Sequence, residues 1–208
     1  YDNLILDELD DSCVLTGVDE NQDMLKQFEN NMKKHGHFNF KTVFTPIENL
    51  DNLDLGHYDV VLSFNAIHHF NIGKTLSIIN NLLKTDGMAF LYSRTANQNE
   101  RSIWGQYFPK FNLYESRLYS LSDLEKSIYQ VDGLELDEIK FFTYNRSQSI
   151  DRLINQAEGR HYSTFSFYDY NEFMEISLRF KQELRQKFIN LDSIKWQDRN
   201  VMLKIVKT

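Results

Sequence analysis

What most limits the fold of this chain is the exchange of short apolar runs with helical periods across its first 95 residues. VLTGV (14–18), FKTVFT (40–45), YDVVLSF (58–64) and MAFLYSR (88–94) each have the length and the β-branched or aromatic content of a strand. Between the first two, NQDMLKQFENNMKKHG puts Met24, Leu25, Phe28 and Met32 on one helical face and stops at Gly36, a fitting C-cap. KTLSIINNLLKTDG (74–87) predicts another helix, with Leu76, Ile79, Leu82 and Leu83 turned inward. YDNLILDELDDS, at the start, reads as the end of a third. Strand–helix–strand repetition at this spacing calls for right-handed crossovers. It predicts an α/β fold: a Rossmann-like, mostly parallel twisted sheet with helices on both faces. YDVVLSF is apolar almost throughout, as a strand covered on both faces should be.

The second half loses this rhythm. NQNERSIWGQYFPKFNLYESRLY has no clean period, and SLSDLEKSIYQV predicts a helix with Ser122 and Glu125 spaced as a capping box. LELDEIKFFTYNR (134–146) reads as a strand. A helical region over roughly 148 to 190 contains the aromatic run HYSTFSFYDYNEF, and NVMLKIVK (200–207) closes the chain as a strand. Strand, long insertion and strand predict a terminal pair, with the last strand antiparallel to the rest. A single domain over 1–208 is therefore expected. Its cofactor-binding half spans 1–95, and substrate or lid elements span 96–133 and 147–195.

Bulk properties remove several function classes. The chain has 208 residues, 41% of them hydrophobic and 14% aromatic, enough for one real core. Lys and Arg total 23 against 30 Asp and Glu, a formal charge of −7, and no basic stripe is visible. Nucleic acid, which needs clustered cations against phosphate, is not an expected partner. Cys13 is the only cysteine, so neither an intramolecular disulfide nor a Cys-rich zinc site can form. That usage fits a reducing, cytoplasmic setting. No apolar run approaches the roughly 18 residues of a membrane span. No ligand cluster indicates a metal.

The run VLTGVDENQDML then raises the question of why a strand should end in two carboxylates where a helix takes over. In open parallel sheets, ligands bind beyond the carboxyl ends of the strands. A carboxylate there can accept both ribose hydroxyls of an adenosine-containing cofactor, because it only accepts and takes two donors at once. Asp19 suits that role. The alternative is that Asp19, Glu20 and Asn21 cap the following helix, where the dipole favours negative charge.

GVDENQDML, followed in register by YDVVLSFNAIHHF and NNLLKTDGMAFLYS, resembles the class I S-adenosylmethionine-dependent methyltransferases over about residues 1 to 95. WQDRNVMLKIVK extends the likeness more loosely, since the family's antiparallel seventh strand ends the domain there. The resemblance implies S-adenosyl-L-methionine as cofactor, with Asp19 and Glu20 on the ribose and Met24, Ile47 and Glu48 around the adenine. Asn65 and Ala66 would meet the methionyl part. It implies methyl transfer to an O or N nucleophile of a small organic molecule, with His68 as the candidate catalytic base. Packing at the start of a helix is the other reading of His68 and His69. His69, Arg94, Trp104, Tyr107, His161 and Tyr162 are the candidate substrate contacts. A structural salt bridge is the competing role for Arg94, and a helical core the competing role for the aromatics.

The sequence also departs from the family. No G-x-G-x-G occurs, so the family's first strand and glycine loop are expected upstream of Tyr1. Pro46 takes the place of the usual acidic residue after the third family strand, and Thr85-Asp86-Gly87 that of Pro-Gly-Gly. Two other functions remain open at this stage. One is a catalytically silent methyltransferase-like interaction module, and the other an NAD-dependent oxidoreductase.

Overall fold

The computed structural model describes residues 12–208, and the helix end read at the start of the sequence lies outside them. The chain divides into two compact units, 1–57 and 58–208.

In the first unit, β1 (Leu15–Asp19) pairs in parallel with β2 (Phe40–Phe44), Asp19 standing opposite Phe44. The crossover is α1 (Gln22–Lys34). Asn21 caps it, its side-chain oxygen accepting from the Asp23 N–H at 2.9 Å. Asp23 in the first turn and Lys33 and Lys34 in the last complement the helix dipole. Leu25 and Met32 are buried, and the Phe28 ring meets Phe40 edge-on at 5.7 Å. A Cβ at Gly17 would lie 3.1 Å from that Phe28 ring, so the strand needs glycine there for the helix to approach. Gly36 takes φ +80° just past the helix end, as its C-cap role requires. Met24, expected on the inner face, is 50% exposed, because the buried stripe follows residues 25, 28 and 32.

The second unit holds a four-stranded sheet in the order β3 (Tyr58–Phe64), β4 (Leu83–Ser93), β6 (Ile194–Lys207), β5 (Leu134–Gln148). β3 and β4 are parallel, and β6 runs antiparallel to both β4 and β5, as the sequence predicts for the last strand. The expected helix over 74–87 is shorter. α2 (Ile72–Leu82) stops where β4 begins, so Lys84-Thr85-Asp86-Gly87 is strand with a bulge. Asp86 takes φ +62°, and a Cβ on Gly87 would sit 2.8 Å from the Lys84 carbonyl oxygen, which only glycine avoids. Among the described residues β3 ends the order of this sheet, and Val60 is 42% exposed.

Two cores form around this sheet. Leu76 and Ile79 of α2 and Leu124 and Ile128 of α6 (Leu121–Tyr129) pack on Ala89, Leu91, Val201, Leu203 and Ile205. The cap of α6 is Ser120, accepting from the Asp123 N–H at 3.1 Å, two residues before the expected box. The other core is helical and aromatic. It joins α4 (Ile103–Tyr107) and α5 (Phe111–Tyr114), which follow the short α3 (Ala96–Glu100), to α7 (Ile150–Glu158) and α8 (Tyr170–Lys187). The helical region expected over 148–190 comprises two helices. They are parted by Arg160 at φ +49° and a 3-10 turn over Ser163–Phe167.

Candidate active site

In the first unit the cofactor candidates gather at the carboxyl edge of β1 and β2. Asp19 is half-buried, and its Oδ1 accepts from the Asn21 N–H at 2.7 Å. The Asp19 carbonyl accepts from the Thr45 N–H at 3.1 Å, which sets the next turn beside it. Ile47 and Glu48, both half-buried, open that 3-10 turn (Ile47–Asn52), while Glu20 and Met24 are exposed. Oδ1 of Asp19 thus fixes the start of α1, and among the described residues Oδ2 accepts no hydrogen bond.

In the second unit the turn after β3 is held with unusual care. Asn65 takes φ +51°, its N–H donating to the Tyr92 carbonyl of β4 at 2.7 Å, and Ala66 leads into the 3-10 turn Ile67–His69. Tyr119 secures the far end of that turn, donating its hydroxyl to the Phe70 carbonyl at 2.6 Å and accepting from the Ile72 N–H at 3.2 Å. His68 and His69 face each other with ring centroids 4.1 Å apart. His68 Nδ1 is buried and has no hydrogen-bond partner. Burial and then the neighbouring His69 ring hold its pKa down at about 4, opposed by the Glu115 charge, with Arg117 adding a smaller lowering. His68 is therefore neutral near pH 7, with a buried ring nitrogen whose hydrogen bond is unmade among the described residues.

Arg117 and Glu115, which no sequence pattern singles out, complete the arrangement. Arg117 donates through Nε and Nη2 to the two carboxylate oxygens of Glu115, at 3.0 and 2.7 Å, a bidentate pair. Its Nη1 lies 3.2 Å from His69 Nδ1, and its Nη2 3.1 Å from Ser163 Oγ. Because a guanidinium can only donate, His69 Nδ1 must accept, which leaves the His69 proton on Nε2. The guanidinium also stacks over Phe167 at 4.7 Å, and Thr164 donates its hydroxyl to Glu115. One buried ion pair thereby ties the turn after β3 to both parts of the helical insertion.

The remaining candidates scatter. Arg94 sits 3.3 Å from Asp198, which also receives Arg146 Nε at 3.3 Å and Trp196 Nε1 at 3.1 Å, so Arg94 is a structural ion pair. Trp104, 2% exposed, is the hub of the insertion core, 5.3 Å from Phe165 and 5.4 Å from Phe180. It corrects the expectation of a substrate wall, because its whole surface is spent on packing. Tyr162 is half-buried against Trp104 at 5.9 Å, and His161 lies exposed, edge-on to Tyr162. Tyr107 is half-buried beside Phe188. Neither joins the histidine pair. Among the described residues no group of three or more His, Cys, Asp or Glu could hold a metal ion. No described helix is long and apolar enough to cross a membrane.

Residues 3–89 match the profile of a methyltransferase-domain family. No curated protein matches the chain. Among solved structures, a Bacillus halodurans protein assigned as a methyltransferase superposes with a TM-score of 0.63 at 16% identity, covering 99% of this chain and 97% of its own. The YcgJ protein of Bacillus subtilis gives 0.59 at 16% identity, over 92% of this chain and 81% of its own. The plantazolicin methyltransferase BamL, solved with a triazolic desmethylPZN analog and SAH, gives 0.52 at 13% identity, over 98% and 71%. Residues 3–89 are thus similar to a methyltransferase domain, and the fold is shared along nearly the whole chain with solved methyltransferases.

Proposed function

We propose that the protein transfers a methyl group from S-adenosylmethionine to an O or N nucleophile of a small organic molecule. The observation that carries this reading is His68. Its Nδ1 is buried without a partner at the carboxyl end of β3, where open α/β sheets place their ligands. An unmade hydrogen bond on a buried nitrogen costs about 1–3 kcal/mol, a debt that a donor on a bound molecule would cancel. A hydroxyl or amine acceptor has such a donor.

The bound cofactor would supply a methyl carbon activated by sulfonium, and the chain's own groups would align the partners and keep out water. Asp19 would receive the ribose hydroxyls through its free oxygen. Ile47 and Glu48 would lie along the base, and Asn65 and Ala66 against the methionyl part. His68 Nδ1 would accept the hydrogen bond of the acceptor's O–H or N–H and orient its lone pair. With its own pKa near 4, His68 is a weak base. Its role is then mainly to position the acceptor, and the proton leaves as methyl transfer makes the nucleophile strongly acidic. His69, locked by Arg117, keeps the His68 ring in place.

Calorimetric titration of the chain with S-adenosylhomocysteine tests the cofactor, with NAD as the competing ligand. Binding of the former and not the latter is expected. The reverse result would reject methyl transfer, and binding of neither would leave a silent module as the better description.

A further inference from the structure

The insertion borders a second concavity that methyl transfer does not use. β4 ends at Ser93 opposite Val201, so the first residues of β6 run on with no partner strand on that side. The segment Arg101–Tyr107 and Phe188 border this space, leaving a cleft of about 360 Å3. The charged side chains lining it are all of one sign: Arg101, Lys195 and Arg199. Tyr107, Phe188 and Trp196 bring half-buried rings to it, Tyr107 meeting Phe188 edge to face at 5.5 Å.

These cations have no counter-charge. Lys195 and Arg199 are four residues apart on β6, hence on one face of the strand with Gln197 between them. Across the ladder they stand opposite Ser147 and Thr143, and Gln197 opposite Asn145, to which it donates at 3.1 Å. None of these neighbours is charged. Of the other cations on or beside this sheet, Arg94 and Arg146 meet Asp198 and Lys204 meets Asp137 at 2.6 Å, while Lys140 lies over the Phe142 ring and Lys207 donates to the carbonyls of Asn80 and Leu83. Among the described residues Arg101, Lys195 and Arg199 form no ion pair. Asp198, next to this strand face in sequence, is occupied by two arginines and by the Trp196 indole N–H. In a chain whose formal charge is −7, three uncompensated cations around one cleft raise the local concentration of anions.

We propose that this cleft binds a small organic anion, a planar ring bearing a carboxylate or phosphate. Arg101 receives the charged group with Lys195 and Arg199 at the rim, and the ring lies against Tyr107 and Phe188. The cleft, at about 360 Å3, admits a single-ring acid and falls at the small end of ligand sites. The site is independent of the methyl-transfer reading, and either can fail alone.

Trp196 lies in this cleft while Trp104 is buried in the insertion core, so fluorescence reports on the site directly. The full chain is titrated with phenyl phosphate, benzoate and inorganic phosphate. Saturable change with phenyl phosphate or benzoate is expected, weaker for inorganic phosphate. The better of the two aryl probes identifies the preferred head group. Trp196→Phe should remove the optical signal. Arg199→Gln and Lys195→Gln, both at exposed positions, should each weaken binding about tenfold, as should moderate salt. No saturable response to any probe up to about 10 mM, tenfold above a Kd of about 1 mM, would overturn the proposal. So would affinities untouched by Arg101→Gln, Lys195→Gln and Arg199→Gln.

Discussion

Arg117→Met is the change that best separates a working buried ion pair from an ornamental one. The substitution keeps most of the apolar stem but removes five N–H donors. Glu115, with 7% of its side chain exposed, is left with Thr164 as its remaining donor. Breaking a buried pair from one side costs about 3–5 kcal/mol. Since Arg117 itself is 24% exposed, the lower end applies, about 3 kcal/mol. For a chain of this size each kcal/mol moves Tm by about 2–4 °C, so a fall of about 6–12 °C is expected. The loss should also remove the Arg117 donor from His69 Nδ1, which a 15N spectrum would report as a change at that nitrogen. Glu115→Gln in the same chain removes the charge that needs company, and the double variant should recover about 1–2 kcal/mol relative to the sum of the singles. Urea unfolding followed by fluorescence reads all three variants. A cost below about 1 kcal/mol for Arg117→Met, the value of an exposed pair, would refute the argument. Additive singles in the cycle would refute it equally.

Other expectations are simpler. Asp19→Ala should weaken S-adenosylhomocysteine binding by about 1.5–3 kcal/mol, the range for charge-assisted hydrogen bonds, and an unchanged calorimetric Kd would remove Asp19 from the ribose. The folded chain holds His68 at about 4 against an ordinary 6.5, so between those values the unfolded state binds the extra proton. Stability should therefore be complete above about pH 6.5 and fall towards pH 4, and His68→Gln should flatten that part of the curve in pH-dependent urea titrations. Trp104→Ala should cost about 3–5 kcal/mol in the same assay, whereas Tyr107→Ala, at a half-buried site, should cost clearly less; equal losses would mean that Trp104 is not the hub of its core.

The parallel half of the fold was legible because each of its signals is local. The strand runs, the Gly36 stop and the acidic end of β1 can each be read within a dozen residues, and all are found where expected. The antiparallel last strand was legible for a different reason: strand, long insertion and strand leave it little choice. Lys84–Gly87 misled because Leu82 and Leu83 continue the helical period. Only the strained Asp86 and the crowded Gly87 reveal that the strand has begun. Arg117 and Glu115 could not be found at all. Their meaning depends on His69, Ser163 and Thr164, more than 40 residues away, and a lone Glu-x-Arg resembles any solvated charge pair.

The hairpin of β5 and β6 bears on how such an enzyme could change. Gln148 stands directly opposite Ile194, so the chain leaves the sheet and returns to it at one rung of the ladder. Everything between those two residues is an excursion that can lengthen, shrink or be exchanged without shifting the register of any strand. Its hydrophobic interior is shared with helices α4 and α5, so a successful transplant would have to move both pieces together. Divergence could then proceed by trading a paired cassette of helices, while the strands stay as they are.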